Sequence, residues 1–362
     1  MDVAEKHLRR PDSAIPALDG FRAIAILMVM ASHVGLSHLL PGQFGVTLFF
    51  FLSGYLIATL LRREMEASGT LNLPMFYLRR VVRIFPPMYL TIAFVAALSL
   101  LGMIRPINAE GLVFDFMFLT NYFPVSGLPI GLWSLAVEEH FYMLFPALFL
   151  LLARRMSFAS CACVCLLICG AVLIIRLWEV GRLTDFNDVN FWTHTRIDSI
   201  LFGSILALWN NPVADAENRL PARWPSYLIA GALLASTFLI RDEAFRQTYR
   251  YTIQGLGLLI LFNAAIRDTN LACRLLDNPI ARFIALHSYT LYLNHVSLIE
   301  LCKPLSDYIG GPAAKLFALG LAFLFAMTMH RFVEWPLGQW RRRTERVLRD
   351  KQLSRPQQVG KQ

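Results

Sequence analysis

The sequence predicts an all-α fold, a polytopic transmembrane helical bundle of about ten spans with both termini in the cytoplasm. The first observation is composition: 56% of the 362 residues are hydrophobic and only 16% are charged, and the mean hydropathy is +0.50. Soluble proteins contain about 45–50% apolar and about 25% charged residues. The second observation is a series of uncharged apolar runs, and a helix needs roughly 20 mostly apolar residues to cross a bilayer. A water-soluble enzyme is therefore excluded.

Apolar segments separated mostly by short connections account for the predicted helices. The predicted spans are 18–38, 44–61, 84–103, 134–153, 159–177, 195–210, 226–240, 252–266, 283–301 and 313–335. Because their number is even, the two termini lie on one side. Lys and Arg residues are concentrated on that side, as they are in cytoplasmic loops. We therefore interpret the net charge of +9 as a topology signal and predict no nucleic-acid partner.

Three regions follow from this topology: a cytoplasmic N-terminal segment (1–17), a membrane domain (18–337) and a basic cytoplasmic tail (338–362). The tail is expected to be partly disordered. The first apolar run follows a polar stretch and is long enough to span, so we interpret it as an uncleaved helix. The fifth span carries four cysteines, Cys161, Cys163, Cys165 and Cys169. Since cysteine packs as a small apolar residue, we predict that they pack in the bundle, and we predict no metal site.

The first predicted helix carries two ionisable residues, which are costly inside a membrane and suggest function. Arg22 and His33 are eleven residues apart, or about three turns, so they lie on one face about 16 Å apart along the axis. Arg22 is placed at the cytoplasmic end and His33 toward the outer side. This face suits an elongated anionic ligand, with the imidazole as a general base or nucleophile. A snorkelling arginine and an interfacial histidine are the structural alternative.

Two arginines at the cytoplasmic start of the third predicted helix form the second candidate. Arg80 and Arg83 are i,i+3 neighbours, and guanidinium groups on one face bind phosphate through paired hydrogen bonds. The concentration of positive charge on the cytoplasmic side also accounts for them without a binding role.

A carboxylate at the outer start of the fourth predicted helix is the third candidate. Glu138 lies one turn from Ser134 and from Tyr142 on one face, where it can orient a histidine or accept a hydrogen bond from a sugar hydroxyl. An acidic residue in the first turn also stabilises a helix through its dipole, which is the structural alternative.

Further polar residues lie within predicted spans, and we expect them to pair structurally. His330 and Arg331 are each within about one turn of Glu334, so either can form an ion pair with it. The other residues of this group are Arg196, Asp198, Tyr289, Tyr292, Asn294 and His295.

Taken in order, these segments resemble the acyltransferase-3 family of integral membrane O-acyltransferases. The resemblance rests on the arginine–histidine pair that follows LDG, on GVTLFFFLSGYLI, FYLRRVVRIFPP and LWSLAVEEHFYMLFP, and on the later SYTLYLNHVSL and VEWP. It covers about residues 18–337. Two positions depart from the family pattern: Thr47 stands where an aspartate is usual, and Asn294 precedes His295.

The resemblance implies transfer of an acyl group, usually acetyl, from cytoplasmic acyl-CoA to a hydroxyl on the outer side of a bacterial membrane. Arg22, Arg80 and Arg83 are then expected to bind the CoA phosphates. His33 is expected to be catalytic, and we assign Glu138 to the catalytic site with it. No cofactor is expected to be bound permanently, because acyl-CoA acts as a donor substrate. The resemblance further implies a member of the surface polysaccharide O-acetyltransferase type without a fused extracytoplasmic domain.

The sequence therefore predicts an O-acetyltransferase of the bacterial cytoplasmic (inner) membrane, whose partners are acyl-CoA, a surface or lipid-linked glycan and the bilayer. Acylation of a lipid or of a secreted small molecule is the alternative within the enzyme class. A transporter or flippase is the alternative from another class, since intramembrane His, Arg and Glu also line solute pathways. Direct transfer and a covalent acetyl-His33 intermediate both stay open.

Overall fold

The computed structural model describes residues 15, 17–123, 131–182, 187–220, 224–267 and 275–353. Within these ranges the chain forms helices and turns and contains no β-strand. The α-helices are α1 (Leu18–Ala31), α2 (Gly42–Ser68), α3 (Leu73–Leu100), α4 (Ala109–Phe116), α5 (Leu132–Ala153), α6 (Phe158–Val180), α7 (Thr193–Trp209), α8 (Trp224–Leu239), α9 (Glu243–Gln247), α10 (Tyr249–Arg267), α11 (Pro279–Leu301), α12 (Ser306–Ile309), α13 (Gly311–Met329) and α14 (Trp335–Leu353). The predicted N-terminal segment 1–17, apart from residues 15 and 17, lies outside the described residues.

Six helical segments of the described chain are long and apolar enough to cross a membrane, by length and composition. They are α1 with its π-helical extension, α2, α3, α5, α6 and the segment Gly311–Val347. The predicted class, an all-α membrane protein, is thereby confirmed. The other predicted spans coincide with α7, α8, α10 and α11, of which α7 and α8 have only 17 and 16 residues. The count of ten spans and the cytoplasmic termini stay predictions.

Helices α2 and α7 pack very closely because a glycine stands on each side of their contact. A Cβ atom at Gly54 would lie 1.8 Å from the carbonyl oxygen of Ile200, and one at Gly203 would lie 2.0 Å from that of Phe51. Any side chain at either position would therefore collide with backbone. Small residues allow membrane helices to approach in this way, and the contact fixes α2, which lines the candidate site, against α7.

Helix α1 ends in a π-helical turn, Ser32–Leu36, that carries His33. The turn contains Gly35 at φ 107°, a conformation that glycine adopts without a steric penalty. The hydroxyl of Ser32 donates a hydrogen bond to the carbonyl oxygen of Val29 at 2.8 Å. Single π-helical turns are frequent at functional sites. This one shifts His33 from the purely α-helical register on which the sequence prediction rests.

A second π-helical turn, His330–Glu334, joins α13 to α14. The carboxylate of Glu334 accepts a hydrogen bond from the Thr290 hydroxyl of α11 at 2.5 Å and lies 3.2 Å from Nδ1 of His330. The predicted pairing of His330 with Glu334 is confirmed, whereas the guanidinium of Arg331 lies over the Trp335 ring at 5.4 Å. These contacts tie the C-terminal helices to α11.

The C-terminal tail and the cysteines of α6 lie away from the candidate site. Helix α14 continues to Leu353, so the described part of the basic tail is helical, where the sequence predicts partial disorder. In α6, Cys161, Cys165 and Cys169 are buried in the hydrophobic core, which confirms their predicted packing, whereas Cys163 is exposed.

Candidate active site

Two cavities lie between the helices and share two lining residues, Val46 of α2 and Tyr292 of α11. We name each cavity after an ionisable residue in its lining. The Glu138 cavity has a volume of about 110 Å³ and is bounded by α1, α2, α3, α5 and α11. The His33 cavity has a volume of about 890 Å³ and includes the π-helical end of α1. The predicted site residues are divided between these two cavities.

The Glu138 cavity collects the three predicted arginines. Arg22 comes from α1, and Arg80 and Arg83 come from one face of α3, as their i,i+3 spacing predicts. Arg79, their neighbour on α3, instead pairs with Glu64 at 3.4 Å. Helical spacing therefore decides which arginines of this basic segment reach the cavity.

The carboxylate of Glu138 is held in place by hydroxyl groups. The Ser53 hydroxyl of α2 donates to Oε1 at 3.1 Å, and the Tyr142 hydroxyl, one turn along α5, donates to Oε2 at 3.0 Å. The guanidinium of Arg80 lies over the Tyr142 ring at 5.3 Å. Ser134 lines the same cavity, which confirms that it shares a face of α5 with Glu138 and Tyr142. Three arginines and one carboxylate give the described lining a net positive charge, which favours phosphate groups.

His33 forms a hydrogen-bonded pair with His295 of α11 in the second cavity. Nδ1 of His33 lies 2.9 Å from the carbonyl oxygen of Val29 and 3.2 Å from Nε2 of His295. Nδ1 of His295 lies 2.9 Å from the carbonyl oxygen of Leu291, so this nitrogen carries the hydrogen and Nε2 of the neutral ring accepts. Both neighbours of the His33 Nδ1 are therefore acceptors, so the tautomer that fits them carries its hydrogen on Nδ1 and has its lone pair on Nε2. An unprotonated nitrogen is what a general base or nucleophile requires.

Sequence reasoning treats His295 as a structural residue and does not include it in the site. It is 1% exposed and lies against the predicted catalytic histidine. A sequence signal was nevertheless available, because Ser288, Tyr292 and His295 follow one another at i+4 and i+3 and so define one face of α11. Ser288 and Tyr292 line the Glu138 cavity, and Tyr292 and His295 line the His33 cavity.

The structure does not bring Glu138 and His33 together, because they line different cavities. The sequence offers Glu138 as a group that orients a histidine, and in the structure His295 lies beside His33 instead. The catalytic assignments of Glu138 and His33 stay predictions.

Asp198 of α7 pairs with Arg176 of α6 rather than with its neighbour in sequence, Arg196. Nη2 of Arg176 lies 2.7 Å from Oδ2 of Asp198, and both side chains are fully buried. Arg196 donates through Nη2 to the Thr47 hydroxyl at 3.1 Å and lies 3.6 Å from the centroid of the Tyr251 ring. The expected structural pairing therefore involves a partner, Arg176, that the sequence did not identify.

Fold and site together define a multi-pass helical membrane protein in which an arginine-lined cavity adjoins a cavity with a histidine pair. The chain belongs to the family described as an acyltransferase domain, Acyl_transf_3, whose sequence model matches residues 15–331. The resemblance drawn from the motifs is thereby confirmed.

Curated relatives carry related names. The chain is 33% identical over 356 residues to a "Putative O-acetyltransferase" of Staphylococcus aureus, with 89% of this chain and 57% of that protein covered. It is 28% identical over 351 residues to the peptidoglycan O-acetyltransferase OatA of Listeria monocytogenes, with 89% and 56% covered. It is 32% identical over 350 residues to the "Putative peptidoglycan O-acetyltransferase YrhL" of Bacillus subtilis, with 89% and 55% covered. The chain thus spans about half the length of the curated relatives it matches, and no solved structure matches it.

Proposed function

We propose that this chain is an O-acetyltransferase of the bacterial cytoplasmic membrane. It moves an acetyl group from cytoplasmic acyl-CoA to a hydroxyl of a surface or lipid-linked glycan on the outer side. The observation that carries the proposal is the wall of Val46 and Tyr292, at which an arginine-lined cavity meets a cavity with a histidine pair. The names of the relatives, which are O-acetyltransferases, support the reaction class.

The Glu138 cavity suits the donor. Acyl-CoA combines several phosphates with a long linear arm, and guanidinium groups bind phosphate through paired hydrogen bonds. Arg83 is exposed, whereas Arg22 and Arg80 are half-buried, so the phosphates can stay at the mouth while the arm enters.

The His33 cavity suits the acceptor. Its volume of about 890 Å³ lies in the range of small-molecule sites, about 300–1,000 Å³, and so accommodates a sugar. The acceptor then lies in the cavity that contains Nε2 of His33, and the thioester reaches it past Val46 and Tyr292.

Two routes are compatible with this arrangement. In the direct route, Nε2 of His33 takes the proton of the acceptor hydroxyl, the oxygen bonds to the carbonyl carbon, the C–S bond breaks, and the CoA thiolate takes the proton from the imidazolium. In the covalent route, Nε2 bonds to the carbonyl carbon and CoA leaves as a thiolate that takes up the proton lost from Nδ1. The acceptor hydroxyl then displaces the imidazole and returns its proton to the ring. Both routes convert one thioester and one hydroxyl into one ester and one thiol.

The test is acyl transfer by the purified protein in lipid nanodiscs, supplied with labelled acetyl-CoA and isolated surface and membrane glycans. We expect one molecule of free CoA for each acetyl ester formed on the glycan, with the thiol titrated and the ester located by mass spectrometry. An ester found on lipid or on a small molecule would contradict the acceptor class. Movement of a substrate without release of CoA would indicate a transporter and contradict the proposal.

The histidine pair predicts that His295 acts as a positioning residue. We expect His295→Leu to lower acetyl transfer by about 10- to 100-fold, because His33 loses an acceptor that orients its ring. His295→Gln is expected to recover part of this rate, since its amide can reach the place of the imidazole Nε2. The measurement is the transfer rate of both variants at matched acetyl-CoA binding. Equal losses in the two variants would assign His295 to packing alone.

The shared wall predicts that a bulky group at Val46 blocks passage of the thioester between the two cavities. We expect a benzyl methanethiosulfonate attached to Val46→Cys to lower transfer by about tenfold or more, because the added group fills the place where the thioester passes. A reductant should restore the rate. Ile24→Cys, on a part of α1 that is 41% exposed, is the matched control and should keep its rate, as should treated wild-type protein. Full activity of the labelled Val46→Cys protein would contradict the passage.

A further inference from the structure

The His33 cavity carries positive charge that the transfer step does not use. Four arginines line it, and no Asp or Glu belongs to the described lining. Two of these arginines, Arg105 and Arg246, form ion pairs with glutamates at 3.6 and 3.2 Å. The other two, Arg241 and Arg250, have no ion pair with any carboxylate whose side chain is described.

Arg250 is buried in the wall of this cavity, and none of the described side chains gives it an ion pair. It is 8% exposed, and its Nη2 donates to Oε1 of Gln43 at 2.8 Å and to the Tyr251 hydroxyl at 2.7 Å. Its Nε has no hydrogen-bond partner among the described residues. Burying a charge is costly unless it is paired, so an anion in this cavity would stabilise Arg250.

Two more arginines share the aromatic ring of Tyr251 with Arg250. Arg176, Arg196 and Arg250 lie 5.6, 3.6 and 4.8 Å from the centroid of the Tyr251 ring. Of the described residues in this cluster, Asp198 supplies the one carboxylate, and it is paired with Arg176. The aromatic ring offsets part of the remaining charge, but Nε and Nη1 of Arg196 have no hydrogen-bond partner in the described chain.

Thr47 gives Arg196 a neutral hydrogen-bond partner. Its hydroxyl accepts a hydrogen bond from Nη2 of Arg196 at 3.1 Å. A carboxylate at position 47 would neutralise that guanidinium, whereas the Thr47 hydroxyl supplies only a neutral oxygen. The positive potential of Arg196 therefore adds to that of Arg250.

We propose that the His33 cavity binds an acceptor that carries an oxyanion, a carboxylate or a phosphate group attached to the sugar, and that Arg241 and Arg250 hold this group. The inference rests on the proposed function and names the chemical class of its acceptor. Guanidinium groups bind both oxyanions through paired hydrogen bonds. A neutral sugar would leave the buried charge of Arg250 uncompensated.

The test is calorimetric binding to the purified protein in nanodiscs of neutral phosphatidylcholine, which supplies no anionic lipid headgroup. The probes are methyl glucuronide, glucose 1-phosphate and the neutral methyl glucoside. We expect at least one anionic sugar to bind about tenfold or more tightly than the neutral one. Preference for the glucuronide would identify a sugar acid as the source of the oxyanion. Preference for glucose 1-phosphate would identify a phosphate-linked sugar.

Variants locate the anion in this cavity. Arg250→Gln is expected to remove the tenfold preference, and so is Arg241→Gln, which changes an exposed side chain and leaves the packing intact. Thr47→Asp is expected to weaken the preference by supplying the missing carboxylate. Arg246→Gln is the matched control, because Arg246 already has a glutamate partner, and it should keep the preference.

Equal affinity for charged and neutral sugars, including no measurable binding of either, would overturn the inference. A preference that survives both Arg241→Gln and Arg250→Gln would overturn it as well. Because the assay measures binding without acetyl-CoA, its outcome is separate from that of the transfer assay. If the protein binds anionic sugars but releases no CoA, the anion site is supported and the proposed reaction is contradicted.

Discussion

His33→Ala is expected to lower acetyl transfer by about 10²- to 10⁴-fold, the range that removal of a general acid–base group produces. Nδ1 of His33 lies close to two acceptors, the Val29 carbonyl oxygen and Nε2 of His295, so Nε2 is the nitrogen available for chemistry. The substitution lies outside the Glu138 cavity, and acetyl-CoA binding should therefore be unchanged. Transfer to glycan and acetyl-CoA binding are measured side by side in nanodiscs.

His38→Ala is the matched control for this experiment. His38 lines the same cavity and is exposed, yet no part of the proposed chemistry uses it, so its loss should change the rate little. A folded His33→Ala protein that keeps the wild-type rate would rule out both routes through Nε2. Rapid acid quenching with labelled acetyl-CoA then separates those routes, because only the covalent route leaves label on the wild-type protein.

Arg80→Gln combined with Arg83→Gln is expected to raise the KM for acetyl-CoA by about tenfold or more for each arginine. Hydrogen bonds to charged groups contribute about 1.5–3 kcal/mol, and both side chains line the cavity assigned to the donor. Because the proposed reaction takes place in the other cavity, kcat should fall much less than the KM rises. Steady-state kinetics with varied acetyl-CoA at saturating glycan provide the measurement.

Arg79→Gln serves as the neighbouring control. Arg79 lies on the same helix, but it is paired with Glu64 at 3.4 Å and does not line the Glu138 cavity. Removal of its positive charge should leave the KM for acetyl-CoA almost unchanged. An unchanged KM in the Arg80 and Arg83 double variant would place the CoA phosphates elsewhere on the protein.

Local patterns along single helices predicted much of the arrangement. The i,i+3 spacing of Arg80 and Arg83 placed both in one cavity, and the i,i+4 spacing of Glu138 and Tyr142 produced a hydrogen bond at 3.0 Å. Apolar runs gave the membrane class because hydrophobic length depends on composition alone. These features depend only on helix geometry, which a single sequence contains.

Contacts between distant helices could not be predicted in the same way. His33 and His295 are 262 residues apart, and no periodicity within α1 or α11 indicates which faces meet. Asp198 likewise pairs with Arg176, which is 22 residues away on another helix. It does not pair with Arg196, which lies two positions away on its own helix. The partition of His33 and Glu138 between two cavities has the same origin, because it depends on how helices pack against one another.

The wall between the two cavities also bears on how well the membrane holds its proton gradient. In the proposed topology the Glu138 cavity would open to the cytoplasm and the His33 cavity to the outer side, so a continuous water channel between them would discharge the gradient. The Tyr292 hydroxyl is hydrogen-bonded to Ser134 and donates to the Gly131 carbonyl oxygen at 3.1 Å. A Cβ atom at Gly131 would lie 2.7 Å from that hydroxyl, so the absence of a side chain there lets Tyr292 hydrogen-bond at the wall when no thioester lies between the cavities. In the proposed reaction only the thioester end of the donor would enter this wall, so the membrane would stay closed to ions between turnovers.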